Sequence, residues 1–380
     1  MNPSFELEKE SPKPKRKRLP WAVRIIYFCA ALSLVLYLLF WLIPPFADFF
    51  NRWISPVIRG ALAYLTNFLP FSLAELLILL LPLILFLILR RGLSRFVTSW
   101  RDVGRFCVCV GSAAALVLSL FVFGFAPAYR ATPLDERLGI PRRAVSREEL
   151  YETAVILAER INVESEKLRY GSDGFSVMPH SFGEMNDHLL DAYQTLADET
   201  GVTDRLYSRI KPVMLSKAMS YTHITGVYTF FTGEANLNVY FPDYTLPYTA
   251  AHELAHQRGI AREDEANFVA FLVCERSEDA YIRYSGYLNL YEYVVSELYA
   301  ASPELYRKVQ LTLSPVVRAE MRAFSDFFDQ FRESVASEVS GAVNDAFLTI
   351  HGTEGVRSYG MVVDLAVAYF VPAEGAASIQ

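Results

Sequence analysis

The residues most able to do chemistry together lie in the stretch TAAHELAHQRG, Thr249 to Gly259. It contains His252-Glu253-Leu254-Ala255-His256. On a helix, side chains four apart share one face. Two imidazoles so placed can bind one Zn²⁺ at about 2.0–2.1 Å from each nitrogen. Glu253, beside the first histidine, can then act as general base toward a water whose pKa zinc lowers to roughly 7. On ordinary residue frequencies such a pentad arises by chance in about one chain in a hundred of this length, so the flanks decide. Thr249, Ala250, Ala251, Leu254 and Ala255 are uncharged, as a buried active-site helix requires. A surface helix with two solvated histidines is the competing reading. Arg258 stands where an apolar residue is often found, and the helix is expected to end at Gly259.

Catalytic zinc usually has three protein ligands and an open fourth position. The following segment, AREDEANFVAFLVCE, offers Glu263, Asp264 and Glu265. On a helical wheel Glu265 shares the apolar face of Phe268, Val269 and Leu272, where a carboxylate needs a partner. Glu265 is therefore the expected third ligand. Glu263, near the opposite face, and Asp264, about 100° away by the helical repeat, are the alternatives as ordinary acids of a helix N-terminus.

These motifs carry a resemblance. HELAH followed by Glu265-Ala266-Asn267 resembles the gluzincin arrangement, in which a Glu from the next helix completes the metal site. Glu-Ala-Asn is similar to the pattern of ImmA/IrrE-type and membrane CAAX-type zinc peptidases. That resemblance implies a hydrogen-bonding role for Asn267 behind the ligands, with an amide where many relatives have Asp. The gap from His256 to Glu265 is shorter than in most of them. The stretch from Lys211 to Glu275, with SKAMSYTHITGVYTFFTGEANLN and HELAHQRGIAREDEANF, more closely resembles a bacterial membrane-protein family known only as a domain of unknown function. The likeness extends to the N-terminal apolar runs and to SYGMVVDLAVAY. It implies a metallopeptidase with one zinc per chain and no known substrate.

Something must hold these residues. Gly226–Phe241, GVYTFFTGEANLNVYF, is rich in β-branched and aromatic residues with a Gly-Glu-Ala-Asn break, and reads as two strands ended by Pro242 and Pro247. Zinc peptidases bind extended substrate along an edge strand, which makes Gly226, Val227 and Tyr228 candidate substrate-binding residues; a plain structural strand is the alternative. Ser146-Arg-Glu-Glu149 fits a capping box that opens a helix to about Ile161. Further helices are expected at about 182–199, 248–259, 263–275, 278–300, 303–332 and 355–370. The expected domain is mostly α with a small sheet, an α+β, zincin-like fold.

The first third differs. Apolar runs at Ile25–Pro45, about Phe71–Leu89 and Phe106–Ala126 match the roughly 20 residues that cross a bilayer core. The first is too long for a signal peptide, and no cleavage site follows it. Residues 1–126 carry 14 basic and 6 acidic side chains, whereas the whole chain carries 36 and 42. The basic ones cluster before the first run (Lys13, Lys15, Arg16, Lys17, Arg18, Arg24) and after the second (Arg90, Arg91, Arg95, Arg101, Arg105). That bias puts the N-terminus inside a bacterial cell. The expected organisation is a basic cytoplasmic tail (1–20), a three-helix membrane domain (21–126) and an extracytoplasmic peptidase-like domain (127–380). The apolar stretch Trp53–Phe71 is expected at the interface or against the spans.

The rest of the chain is acidic and would repel phosphates, so nucleic acid is excluded as a partner. The lipid bilayer and a peptide or protein substrate remain. No paired CxxC motifs offer a cysteine metal site among Cys29, Cys107, Cys109 and Cys274. His180, His188, His223 and His351 read as surface or core histidines. Tyr281, Tyr284 and Tyr287 read as core or interface, although one tyrosine or His351 would be able to polarise a carbonyl. The expected activity is an endopeptidase at the outer face of a bacterial membrane. A zinc-fold sensor or scaffold without activity is the alternative, and a transporter finds no buried polar pathway in the spans.

Overall fold

The computed structural model describes residues 19–95, 100–140, 142–203, 205–355 and 361–372. Most of the expected basic tail, with Lys13, Lys15, Arg16, Lys17 and Arg18, lies outside the described residues.

Three helices are long and apolar enough to cross a membrane: α1 (Trp21–Leu42), α4 (Leu73–Arg95) and α5 (Trp100–Gly124). α1 and α5 pack together, and the Tyr27 hydroxyl donates to the Val108 carbonyl at 3.0 Å. A Cβ at Gly111 would lie 2.8 Å from that hydroxyl, so the close approach needs glycine. The segment between α1 and α4 forms α2 (Pro44–Trp53) and α3 (Ser55–Asn67). Both pack on the helical domain at the end of the bundle where α1 and α5 finish and α4 begins. By their places on the helices, Arg24, Arg90, Arg91, Arg101 and Arg105 fall toward the opposite end.

The helical domain follows in chain order. It comprises α6 (Leu134–Leu138), α7 (Arg147–Ser165), α8 (Phe182–Thr200), α9 (Ser216–Ser220), α10 (Leu246–Gln257), α11 (Glu263–Arg276) and α12 (Ala280–Ala301). It ends with α13 (Pro303–Gln310), α14 (Pro315–Arg332), α15 (Val335–Ile350) and α16 (Val362–Phe370). Ser146 and Glu149 form the expected capping box at α7, and Ser181 and Glu184 form another at α8. α8 stops at Gly201, which takes φ 64°. The long helix expected at 303–332 is broken into α13 and α14, because Pro315 cannot donate to a continuing helix. The start of the helix expected from residue 355 lies partly outside the described residues. α15 was not expected, although Val335, Val339 and Val343 recur at helical spacing.

The sheet is small. β1 (Lys211–Pro212) pairs parallel to β3 (Glu234–Leu237), and β3 pairs antiparallel to β2 (Gly226–Thr229), giving the order β1-β3-β2. The expected strand pair is present, with Gly233 at φ 72° in its turn, and β2 is an edge. α10, α11 and α12 form the core with α7, α8 and α16, and α10 also lies against β2 and β3.

The expected boundary at residue 126 falls in a 3-10 turn, Ala126–Tyr129, that belongs to both regions. Leu36, Phe40, Phe50, Phe121 and Phe125 share one apolar cluster with Tyr129 and Ala261. Polar ties reinforce it. Glu234 on β3 accepts the Leu73 and Ala74 N–H groups at the start of α4 (3.0 and 2.9 Å) and pairs with the buried Lys211 ammonium at 2.7 Å. Lys211 also donates to the Thr66 carbonyl at 2.6 Å. Glu75, in the first turn of α4, accepts the Met214 and Leu215 N–H groups at 2.8 and 2.9 Å.

Glu234→Ala would leave a buried ammonium and two helix N–H groups without this acceptor. Removing one partner of such a pair costs about 3–5 kcal/mol. Unfolding of the detergent-purified chain should show that loss; a cost below about 1 kcal/mol would mean that the joint does not depend on this pair.

Candidate metal centre

α10 begins with Pro247 in its first turn, where a missing N–H costs nothing. It is fastened along its length. The Tyr193 hydroxyl donates to the Ala251 carbonyl at 2.5 Å, and Gln257 donates to the Gly233 carbonyl at 2.7 Å. Arg258, the residue out of pattern in the sequence, is buried with its guanidinium 4.1 Å from the centre of the Tyr193 ring, and it donates to the Leu206 carbonyl at 2.5 Å. Gly259 reverses the chain at φ 87°, a conformation that disfavours a side chain. A Cβ there would also lie 2.5 Å from the Arg59 guanidinium of α3. Arg59 donates to Asn51 (2.9 Å) and to the Gly124 carbonyl (3.0 Å), while Asn51 donates to the Gly259 carbonyl at 3.3 Å. Residues from the membrane end of the chain therefore hold the turn that carries α10 into α11.

The turn brings Glu263, not Glu265, against the histidines. Glu263 Oε2 lies 3.2 Å from His252 Nε2 and 3.5 Å from His256 Nε2, and the two Nε2 atoms are 3.0 Å apart. Glu265, the expected third ligand, accepts the Leu134 N–H at 3.0 Å and pairs with Arg262 at 3.1 Å, at the start of α6. Asp264 pairs with Arg142. The expectation fails for a physical reason. Every residue of α11 from Glu263 to Cys274 is buried, so the helix has no polar face and burial does not discriminate among its acids. Position in the first turn decides instead: Glu263 is the helical residue nearest the reversal. Asn267 lies one turn further along, buried, with its carbonyl accepting from Tyr248 at 3.0 Å.

The donors fit a metal. A tetrahedral ion with ligands about 2.0–2.1 Å away separates them by about 3.3 Å, and the three separations here are 3.0, 3.2 and 3.5 Å. The Glu263 Oε2 approaches lack hydrogen-bond geometry, and His252 Nδ1 is likewise buried without a hydrogen-bond partner among the described residues. His256 Nδ1 is 2.7 Å from the Ile260 carbonyl, which fixes that nitrogen as the donor and leaves Nε2 with a lone pair for a cation.

The electrostatics state the same demand. Burial opposes charge at His256, yet the Glu263 and Glu253 carboxylates push its pKa up to about 9. Glu263 is buried too, yet the two imidazoles hold its carboxyl well below the usual range. The pocket thus favours one positive charge among these groups, which a divalent cation would supply. Glu253 differs: burial and the nearby Glu263 charge raise its pKa against the opposing pull of the histidines and of the Tyr228 N–H.

β2 meets α10 at Glu253. A Cβ at position 226 would lie 2.5 Å from Glu253 Cγ, so Gly226 makes room for that carboxylate. The Tyr228 N–H faces it, and Val227 is 39% exposed on the edge strand. Sequence reasoning missed two phenols. Tyr129, 5% exposed just beyond α5, and Tyr293 on α12 both sense the Glu263 charge. Burial, then neighbouring carboxylates, push Tyr293 up to about 12 and Tyr129 well above its ordinary value, so both remain protonated donors. A lone tyrosine in Ala-Pro-Ala-Tyr gives no signal of such a place. Phe125 meets the His256 ring edge-on at 6.2 Å.

The other aromatic candidates are engaged elsewhere. Tyr281 and Tyr284 bond Ser176 and Glu320, and Tyr287 bonds Arg160. His351 bonds the Phe347 carbonyl and packs its ring 5.0 Å from Tyr129. His223 lies 2.7 Å from the Phe331 carbonyl.

Metal content should separate the two acids. Glu263→Gln is expected to hold one zinc equivalent less than the unaltered chain when purified with zinc, and Glu265→Gln to hold as much. The opposite pattern would overturn the ligand set of His252, His256 and Glu263.

Comparison with known proteins adds a family. A family profile described as "Protein of unknown function (DUF3810)" matches residues 50–367. No curated protein and no solved structure matches the chain.

Proposed function

The chain belongs to this family, and on that premise we propose that it is a zinc-dependent endopeptidase held in a bacterial membrane by α1, α4 and α5, with a gluzincin-like centre in its helical domain. The observation that carries this reading is the triangle of His252 Nε2, His256 Nε2 and Glu263 Oε2, sized for a tetrahedral ion, with a buried carboxylate, Glu253, on the same helix. The Lys/Arg bias of the flanks supports an orientation with the domain outside the cell.

The protein residues divide the work. His252, His256 and Glu263 would hold one zinc, which supplies Lewis acidity and lowers the pKa of a water toward roughly 7. Glu253 accepts the proton of the attacking water and returns it to the departing amine. A carboxyl raised by burial suits that two-way transfer near neutral pH. Gly226 leaves space for it, and the Tyr228 N–H orients it. The outer side of β2, where Val227 is exposed, aligns an extended peptide beside α10 by backbone pairing. Tyr129 and Tyr293, whose phenols feel the Glu263 charge and stay protonated, are candidate donors for negative charge on a carbonyl oxygen.

Glu253→Gln preserves size and hydrogen bonding but removes basicity. Zinc content and folding should be unchanged, while hydrolysis of an unstructured protein substrate should fall by about 10²–10⁴. Undiminished hydrolysis would remove Glu253 as the base. Zinc binding without any hydrolysis by the unaltered chain would favour the sensor or scaffold reading.

A further inference from the structure

We propose a second metal site, separate from the centre above, formed by His180, His188 and Asp279. One donor atom from each lies within 4.8 Å of the other two. His180 Nε2 is 2.7 Å from Asp279 Oδ2, and the two imidazole rings are 4.7 Å apart, inclined at 53°. The residues come from two elements: His180 just precedes α8, His188 lies on α8, and Asp279 precedes α12. Asp279 is fixed before any ion arrives, because its other oxygen accepts the Ile282 N–H at 3.0 Å. All three are half-buried, so an ion could enter from solvent and keep water in its remaining position. Two imidazoles and a carboxylate suit Zn²⁺ and similar divalent transition ions rather than Ca²⁺ or Mg²⁺. An ion here would pin the starts of α8 and α12 together.

The test uses full-length, detergent-purified protein stripped by chelator and titrated with Zn²⁺. His256→Ala removes the first centre, so this variant should still bind about one zinc, and His256→Ala/His188→Ala should bind none. Asp279→Asn in the His256→Ala background keeps the cap but should weaken that zinc at least tenfold. If His256→Ala binds no zinc, or the double variant still binds one, the second site is wrong. Loss of one zinc equivalent on His188→Ala in the otherwise unaltered chain would sustain this site whatever becomes of the peptidase reading.

A different observation carries a second proposal: we infer that α15 lies in the lipid bilayer, on the face where the domain sits. This rests on α1, α4 and α5 crossing that bilayer. α15 turns an apolar arc outward. Val335, Val339, Val343 and Ile350 are 76, 60, 65 and 66% exposed and fall on one arc of the helix. Ser337, Ser340, Asn344 and the buried Leu348 form the inward face, and Ser340 donates to the Thr222 carbonyl at 2.8 Å. An outward arc of β-branched apolar side chains suits hydrocarbon rather than water. The arc is continuous with the exposed surface of the long helices: at its end, Phe347 and His351 pack on Phe121 of α5, and His351 on Tyr37 of α1.

Nitroxide labels at Val339→Cys and Val343→Cys should decide. The full chain, with Cys29, Cys107 and Cys109 replaced by Ser and the buried Cys274 retained, is reconstituted in phosphatidylcholine/phosphatidylglycerol vesicles. Both labels should be more accessible to oxygen and less to a water-soluble nickel chelate than a label at exposed Arg147. Nickel access equal to that at Arg147 would place α15 in water; exclusion of both reagents would place it against protein. Either result overturns the inference.

Discussion

The reversal at Arg258–Arg262 sets the geometry of the whole centre. It returns the chain from α10 to α11 so tightly that the first residue of α11 faces the imidazoles of the preceding helix. Two imidazoles and two carboxylates are thereby buried together, an arrangement that is costly unless charge is balanced locally. The structure balances it in layers. Glu263 meets the imidazoles, the Tyr228 N–H meets Glu253, and Arg142 and Arg262 take up the remaining acids of the first turn, Asp264 and Glu265.

The same reversal joins the domain to the apolar helices. Arg59 and Asn51, between α1 and α4, grip Gly259 and the end of α5. Phe125, just past α5, meets the His256 ring and packs in turn on Tyr129. A rigid joint follows: Glu234 and Glu75 fix the start of α4 to the sheet and to the segment before α9. A centre built partly from residues next to the apolar helices is thus held close to their end.

The edge strand and Glu253 are equally interdependent. Glycine at 226 is required because Glu253 fills the space of its missing side chain. A substitution there would displace the Glu253 carboxylate, even though residue 226 was first picked out for contact with substrate.

Local pattern was enough for some of this. The apolar runs, the capping box at Ser146 and the strand pair around Gly233 depend on neighbours within a few residues, so they were legible in the sequence. So was the His252-Glu253-His256 face, because a helix fixes its own periodicity. The third acid was not. The wheel of α11 pointed to Glu265, but a helix buried on all sides leaves no polar face to read, and the choice of Glu263 depends on the approach angle of two helices across Gly259. Tyr129, Tyr293, the Arg59 clamp and the meeting of His180 and His188 with Asp279 join residues tens to hundreds of positions apart. Only the tertiary packing of α3, α8, α12 and the end of α5 decides such contacts, since no local rule couples one helix's side chains to another's.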